Sequence, residues 1–245
     1  MKNELLVGAL LAAASGSAMA ADLPAAPVPA PAPVYSRPAV MGGYNWSGLY
    51  LGINGGGAWG ASRFDFPGSA TTTGSFKTSG GLVGGTFGAS WQMSVVVFGF
   101  EGDFDWARIR GSAPCPAPAL GSSCEARDSW LGTGRARLGV AARDWLFYGT
   151  AGIAFGDLTM ADAPAFLGQT VTRLGWTAGG GIEYGFSQSA SVKAEYLHLD
   201  LGTAQCPAGS CAAGAAVANV PYTAEIFRAG LNYRFGFGGP LVSRY

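Results

Sequence analysis

The sequence predicts an all-β protein: an eight-stranded antiparallel transmembrane β-barrel, an up-and-down meander with short periplasmic turns and long extracellular loops. Three observations carry that prediction. Apolar and polar residues alternate with period two along most of the chain, and helical periodicity does not recur. The segments are joined by connections that are short and long in strict alternation. Only 12% of the residues are charged, against about 25% in ordinary soluble proteins, which is too little charge to cover a water-facing surface.

The chain begins with a stretch of secretory character. Lys2 precedes an apolar core, and Ala18, Met19 and Ala20 make a small-residue cleavage site, so residues 1–20 read as a signal peptide. Residues 21–44 are rich in proline and alanine, a composition that favours extended backbone and builds no core, and read as a linker. The barrel is expected over 45–235 and a tail over 236–245. No apolar run approaches the roughly 20 residues that a spanning helix needs, so a membrane form of the mature chain must be a closed barrel.

Eight alternating segments are expected, at 46–59, 81–91, 95–109, 128–141, 145–158, 170–186, 190–201 and 222–235. They are long for soluble sheets and suit tilted strands that cross a bilayer. The connections at 92–94, 142–144 and 187–189 are short, and those at 60–80, 110–127, 159–169 and 202–221 are long. A soluble barrel has no reason to sort its loops by side. Trp59, Trp91, Trp106, Trp130 and Trp145 fall near segment ends, as interfacial aromatic girdles require. Trp176 lies deeper, and Trp46 is out of phase with Trp59, which implies a bulge or a shifted register in the first segment.

One stretch has the look of an active site. In the third segment Glu101, Asp103 and Asp105 occupy every second position of an apolar run. They could ligate a metal, act as paired catalytic acids, or form the wet face of a strand. The third reading is preferred, because no histidines and no opposing acid cluster accompany them. The other segments repeat the pattern: Arg135 and Arg137 share one parity, as do Arg173 and Glu183, Lys193 and Glu195, and Arg228 with Asn232. Five acids therefore balance the five bases Arg135, Arg137, Arg173, Lys193 and Arg228. A charge facing lipid near the midplane costs about 2–4 kcal/mol, so all ten are expected inside, with the third segment's carboxylates paired to the fourth segment's arginines.

The four cysteines fit an exported protein. Cys115 and Cys124 fall in one loop, Cys206 and Cys211 in another, and two local disulfides are the simplest of the three possible pairings. Zinc would want tighter spacing and histidines, and the chain has one His. With zero formal net charge, nucleic-acid binding has no electrostatic footing. No phosphate loop or H-E-x-x-H motif occurs, and no cofactor is implied.

Five pieces of the chain resemble a known family, the small Gram-negative outer-membrane β-barrel proteins often named outer membrane immunogenic or porin-family proteins. These are NWSGLYLGINGGGAWG at 45–60, GRARLGVAARDWLFYGTAGIAFG at 134–156, GWTAGGGIEYGF at 175–186, KAEYLHLDLG at 193–202 and RAGLNYRF at 228–235. The last also resembles the assembly signal of such barrels, carried here by Arg228, Gly230, Tyr233 and Phe235, although the family pattern ends on the aromatic and this chain continues to Tyr245. The resemblance implies a structural, surface-exposed protein of the outer membrane, with outer-membrane lipids and the barrel-assembly machinery as partners. A closed monomer is expected; a small-solute porin and a loop-mediated adhesion or ligand-binding protein are the alternatives. A lipid-modifying enzyme would need a base at the outer rim. His198, near Asp200, is the sole candidate, and no G-x-S-x-G elbow accompanies it.

Overall fold

A computed structural model describes residues 43–66, 71–115, 123–163, 168–206 and 218–235. The expected signal peptide, most of the linker, the C-terminal tail and Cys211 lie outside the described residues. The strands in chain order are β1 (Gly48–Ser62), β2 (Asp65–Phe66), β3 (Thr71–Thr72), β4 (Phe76–Met93), β5 (Val96–Pro114), β6 (Ser123–Ala142), β7 (Trp145–Ala163), β8 (Gly168–Gly185), β9 (Ala190–Cys206) and β10 (Ala218–Phe235). β2 and β3 are a two-residue pair; the other eight form the wall.

Each wall strand pairs antiparallel with the next, and β10 returns to β1 with Leu49 opposite Phe235 and Ser62 opposite Tyr222. Closure pairs every wall strand on both sides toward the short turns, which is what allows a sheet to stand in lipid, and β8 and β9 part only beyond Trp176 and Asp200. Two of the short turns hold only two residues between strands, and Ser94 and Arg143 take φ of 59° and 56° to make them.

The wall strands run 15–20 residues, well beyond the ~9–11 that a tilted strand needs to cross the hydrocarbon. They extend past the expected segments at the end away from the short turns. β5 continues to Pro114 and β6 starts at Ser123, so much of the expected 110–127 loop is paired strand, with Ala113 opposite Cys124. At the other end β1 starts at Gly48, and Trp46 is not in a strand at all. The chain turns there from the mouth of the barrel into the wall with φ 141° at Gly48, where an added Cβ would meet the Phe235 carbonyl oxygen at 2.5 Å. That reversal, rather than a bulge in β1, puts Trp46 out of phase with Trp59.

Facing is uneven along the strands. Toward the short turns, Leu51, Ile53, Phe87, Phe100, Leu138 and Phe147 point outward and are exposed, while Asn54, Thr86, Glu101 and Arg135 point inward and are buried. Trp59, Trp106 and Trp176 stand on the outer surface where this order ends. Beyond them the order reverses. Ile109, Leu158, Leu197, Leu199, Leu201 and Ile226 are buried inside, while Lys77, Arg108, Arg110 and Arg127 are exposed outside. The lower girdle pairs Trp91 with Phe98 at 5.5 Å and Trp145 with Tyr184 at 4.7 Å, and Trp130 stacks on Phe104 at 5.6 Å.

Candidate functional site

The middle of the lumen is filled by charge. Alternation along β5, β6, β9 and β10 turns Glu101, Asp103, Asp105, Arg135, Arg137, Lys193, Glu195 and Arg228 inward, and all are buried. Arg135 sits between three carboxylates, with Nη2 donating to Glu101 at 2.6 Å and Asp103 at 2.7 Å and Nη1 3.1 Å from Glu195. Arg228 reaches across from β10, donating to Glu195 and Asp105 at 2.9 Å and to Asp103 at 2.9 Å. Lys193 donates to both oxygens of Glu101 at 3.0 Å. Arg137 donates to Glu101 at 3.0 Å and Glu183 at 2.7 Å, and its guanidinium lies 3.8 Å from the Tyr148 ring centre. Each carboxylate thus has a cationic donor, the condition under which buried charges persist.

Neutral donors complete the network. Thr133 donates to Asp103 at 2.7 Å, Tyr50 to Glu101 at 2.9 Å, and Ser191 and Asn232 to Glu183 at 2.6 and 2.9 Å. An eight-stranded barrel is only wide enough for its side chains to fill, and small residues make room for the large ones. Gly84, for example, lies where a Cβ would come within 2.1 Å of the Asp105 carboxylate.

Two positions differ from the sequence expectation. Arg173 carries the inward parity but stands at the outer mouth, partly exposed, and donates to the Thr203 carbonyl; it is not in the network. Its strand meets the zone where the lumen has turned apolar, and it forms no ion pair among the described residues. Arg234, on the same face of β10 as Arg228, replaces it, 3.7 Å from Glu183, so the network keeps five acids and five bases, while Asp128 and Asp157 are buried apart from it in the outer half. Extending the parity of Arg228 and Asn232 by one step would have found it. Asp105 also departs from the expected partners, since its cation is Arg228 from across the barrel and not an arginine of β6.

Aromatics close the lumen on the periplasmic side. Tyr44 and Trp46 fold into the mouth, their rings 4.5 Å apart, and Trp46 is fully buried. Gln92 accepts from the Trp46 amide at 2.9 Å, while Ser90 and Arg234 donate to its carbonyl at 2.5 and 2.7 Å. Tyr44, assigned to the linker by composition, therefore packs with the barrel. On the outer side the lumen is shut by a cluster that includes Ile109, Leu158, Met160, Leu197, Leu199 and Ile226, with Phe64 and Phe66 from the β1–β2 region packed into it. Sequence reasoning missed this plug, because the expected charge filling stopped halfway along the strands.

Cys115 and Cys124 form a disulfide that ties the ends of β5 and β6. The expected Cys206–Cys211 pair has one member outside the described residues. His198 does not pair with Asp200. Its Nδ1 lies 2.7 Å from Glu225, its ring 5.2 Å from Trp176, and Asp200 accepts the Gly202 amide at 2.7 Å. Of the assembly-signal residues, Tyr233 and Phe235 pack edge to face at 5.0 Å on the lipid side, Arg228 points inward, and Gly230 lies opposite Asn54 and Lys193. Among the described residues no cluster of three metal-ligating side chains occurs.

Comparison with known proteins agrees with this architecture. The family model described as outer membrane protein beta-barrel domain matches residues 8–235. A 31 kDa outer-membrane immunogenic protein of Brucella melitensis biotype 1 is 37% identical over 219 residues, which cover 82% of this chain and 88% of the relative. A 25 kDa outer-membrane immunogenic protein of the same organism is 29% identical over 237 residues, covering 96% and 99%. Among solved structures, the outer membrane protease OmpT from Escherichia coli aligns with a TM-score of 0.48 and 9% identity over 78% of this chain and 98% of that one. The chain belongs to the outer-membrane β-barrel protein family, and its place is the outer membrane of a Gram-negative bacterium.

Proposed function

We propose that the protein is a closed, structural barrel that presents its outer end at the cell surface and conducts no solute as a monomer. The observation that carries this reading is the filling of the lumen at three successive levels: Tyr44 and Trp46 below, the charge network in the middle, and the Ile109–Leu199–Ile226 plug above. Planar-bilayer recording of the refolded chain tests it. No stable conductance is expected, and steps of the size given by large open porins would overturn it.

The reading includes no catalysis. His198 is held by Glu225, which also accepts from the Tyr196 hydroxyl, and lies against a tryptophan on the outer surface of the wall. Replacing His198 with Ala should leave outer-membrane lipid composition unchanged. The exposed tryptophan girdles support outer-membrane lipids as partners. The lipid-side aromatic pair at the end of β10 supports recognition by the assembly machinery during insertion.

Surface presentation has its own support. The relatives are named immunogenic, and here the disulfide links the outer ends of β5 and β6 beyond the girdle. Antibody raised against residues 111–127 should label intact cells; labelling only after permeabilisation would refute exposure.

A further inference from the structure

The outward face of the barrel carries an unbalanced basic patch at one height. Arg108 and Arg110 project from β5 two residues apart and are exposed, immediately beyond the girdle residue Trp106. Arg127 of β6 lies directly opposite Arg110 in the strand pairing, and Lys77 extends the patch onto β4. Like charges placed directly opposite across a sheet repel unless something anionic lies between them. Arg127 is paired with Glu125, but neither Arg108 nor Arg110 forms an ion pair with a described residue, and Asp128 is turned inward and buried. Three guanidinium groups therefore face one carboxylate.

The wall is irregular at the same place. β5 inserts Ala107 and Arg108 where β6 has only Ser129, and a groove of about 910 Å³ opens beside the two strands. Its lining includes Val83, Trp106, Arg108, Arg110, Arg127 and Thr159, together with the buried Asp128. Val83 and Trp106 are exposed and continuous with the lipid-facing surface, so one end of the groove is apolar and meets acyl chains while the other is basic. Guanidinium forks match phosphate geometry and hold it by charge-assisted hydrogen bonds.

We propose that this groove binds the phosphorylated headgroup of an outer-leaflet lipid, with Arg108 and Arg110 on the phosphate, Arg127 at its flank, and the adjoining acyl chain along Val83 and Trp106. The site depends on the membrane location and not on whether the lumen is closed. Charge alone would admit a soluble phosphate as well. The apolar end and the height beside Trp106 favour the lipid.

The test is a binding titration of the refolded full chain in detergent micelles with a bis-phosphorylated, acylated glucosamine disaccharide. The same disaccharide without phosphates and inorganic tripolyphosphate are the comparison ligands. The phosphorylated lipid is expected to bind, and the form without phosphates to bind about tenfold more weakly or less, the order set by losing one charge-assisted contact pair. The variant Arg108→Gln/Arg110→Gln should fall to the level of that dephosphorylated form, Arg108→Lys/Arg110→Lys should recover part of the affinity, and Arg63→Gln at the paired Arg63–Asp65 rim site should change nothing. A compact band on a detergent gel that shifts on boiling shows that each variant is folded. Equal binding of phosphorylated and dephosphorylated lipid by the unaltered chain would overturn the proposal, as would undiminished binding by the Gln variant. Tripolyphosphate binding as tightly as the lipid would show a free-anion site and overturn the lipid assignment.

Discussion

The two halves of this barrel solve the same problem in opposite directions. In the half nearer the short turns, Phe87, Phe100 and Leu138 face out and Glu101, Arg135 and Lys193 face in. In the half beyond Trp59, Trp106 and Trp176, residues on the same strands reverse: β9 puts Leu197, Leu199 and Leu201 inside and His198 and Asp200 outside. The eight wall strands run through both halves, although β8 and β9 part beyond Trp176 and Asp200, so a change of secondary structure does not account for the difference. It comes from the solvent against the outer wall. Where the wall meets hydrocarbon, the polar atoms must go inside and be paired; where it meets water, ordinary burial of apolar surface resumes.

That contrast makes the membrane half the more brittle of the two. Its core depends on complete pairing, and removing one partner leaves buried charges uncompensated. Replacing Arg228 with Leu strands Asp105, whose only cationic partner among the described residues is Arg228, and takes one partner each from Asp103 and Glu195. The expected loss is about 3–5 kcal/mol, read as a lower urea midpoint for unfolding from lipid vesicles. A midpoint equal to that of the unaltered chain would show that the network contributes little to stability.

The lipid face of the same half sets the next largest effect. Ala136 is exposed on β6, midway between Trp130 and the Ala142 end of the strand, with Phe100 and Ala151 beside it. Replacing it with Arg adds a charge to hydrocarbon and deletes almost nothing. The expected cost is about 2–4 kcal/mol at the bilayer midplane, measured by the same urea titration, and a neutral result would place this level of the wall in water.

How much of this was legible in the sequence follows the same division. Alternation with few charges gave the meander, the short-turn side and the parity of Glu101, Asp103, Arg135, Arg137, Lys193 and Arg228, because in the membrane half the two faces differ sharply in polarity. The outer half was read less well. Once Leu197, Leu199 and Leu201 share the parity of Glu195, a rule that sends polar residues inward no longer applies, and Arg173 was assigned to a network that does not reach its level. The outer extensions of β5 and β6 read as loop because the stretch that holds Cys115 and Cys124 is rich in proline, glycine and serine. The cross-barrel contact of Asp105 with Arg228 joins residues far apart in sequence, and only closure of β10 on β1 brings them together. Trp46 has no partner readable from sequence, because its contacts are Ser90 and Gln92 of β4 and Arg234 of β10, far from it in the chain.

The apolar plug of the outer half should behave like the core of a soluble domain. Ile109 is buried among the lumen residues of that zone, and replacing it with Val removes one methylene without stranding any polar atom. The expected loss is about 0.5–1.5 kcal/mol, a smaller shift of the urea midpoint than either change above. A loss matching that of Arg228→Leu would mean that the two halves unfold from equally brittle cores.

The sharpest comparison places the same new side chain on the outward face of each half. Thr223 of β10 is partly buried on the outer side beyond the girdle, two residues past Glu225, with Asp200 directly opposite on β9. An Arg introduced there meets water, has the Asp200 carboxylate within reach across the strand pair, and removes only a small hydroxyl. The stability change should stay within about 0.5 kcal/mol in either direction, as for most surface substitutions, whereas the same residue at 136 costs several times more. If Thr223→Arg were as costly as Ala136→Arg, the hydrocarbon would have to extend past Trp59 and Trp176, the reversal of facing would not mark the membrane boundary, and the basic patch at Arg108 and Arg110 would lie too deep to meet headgroups.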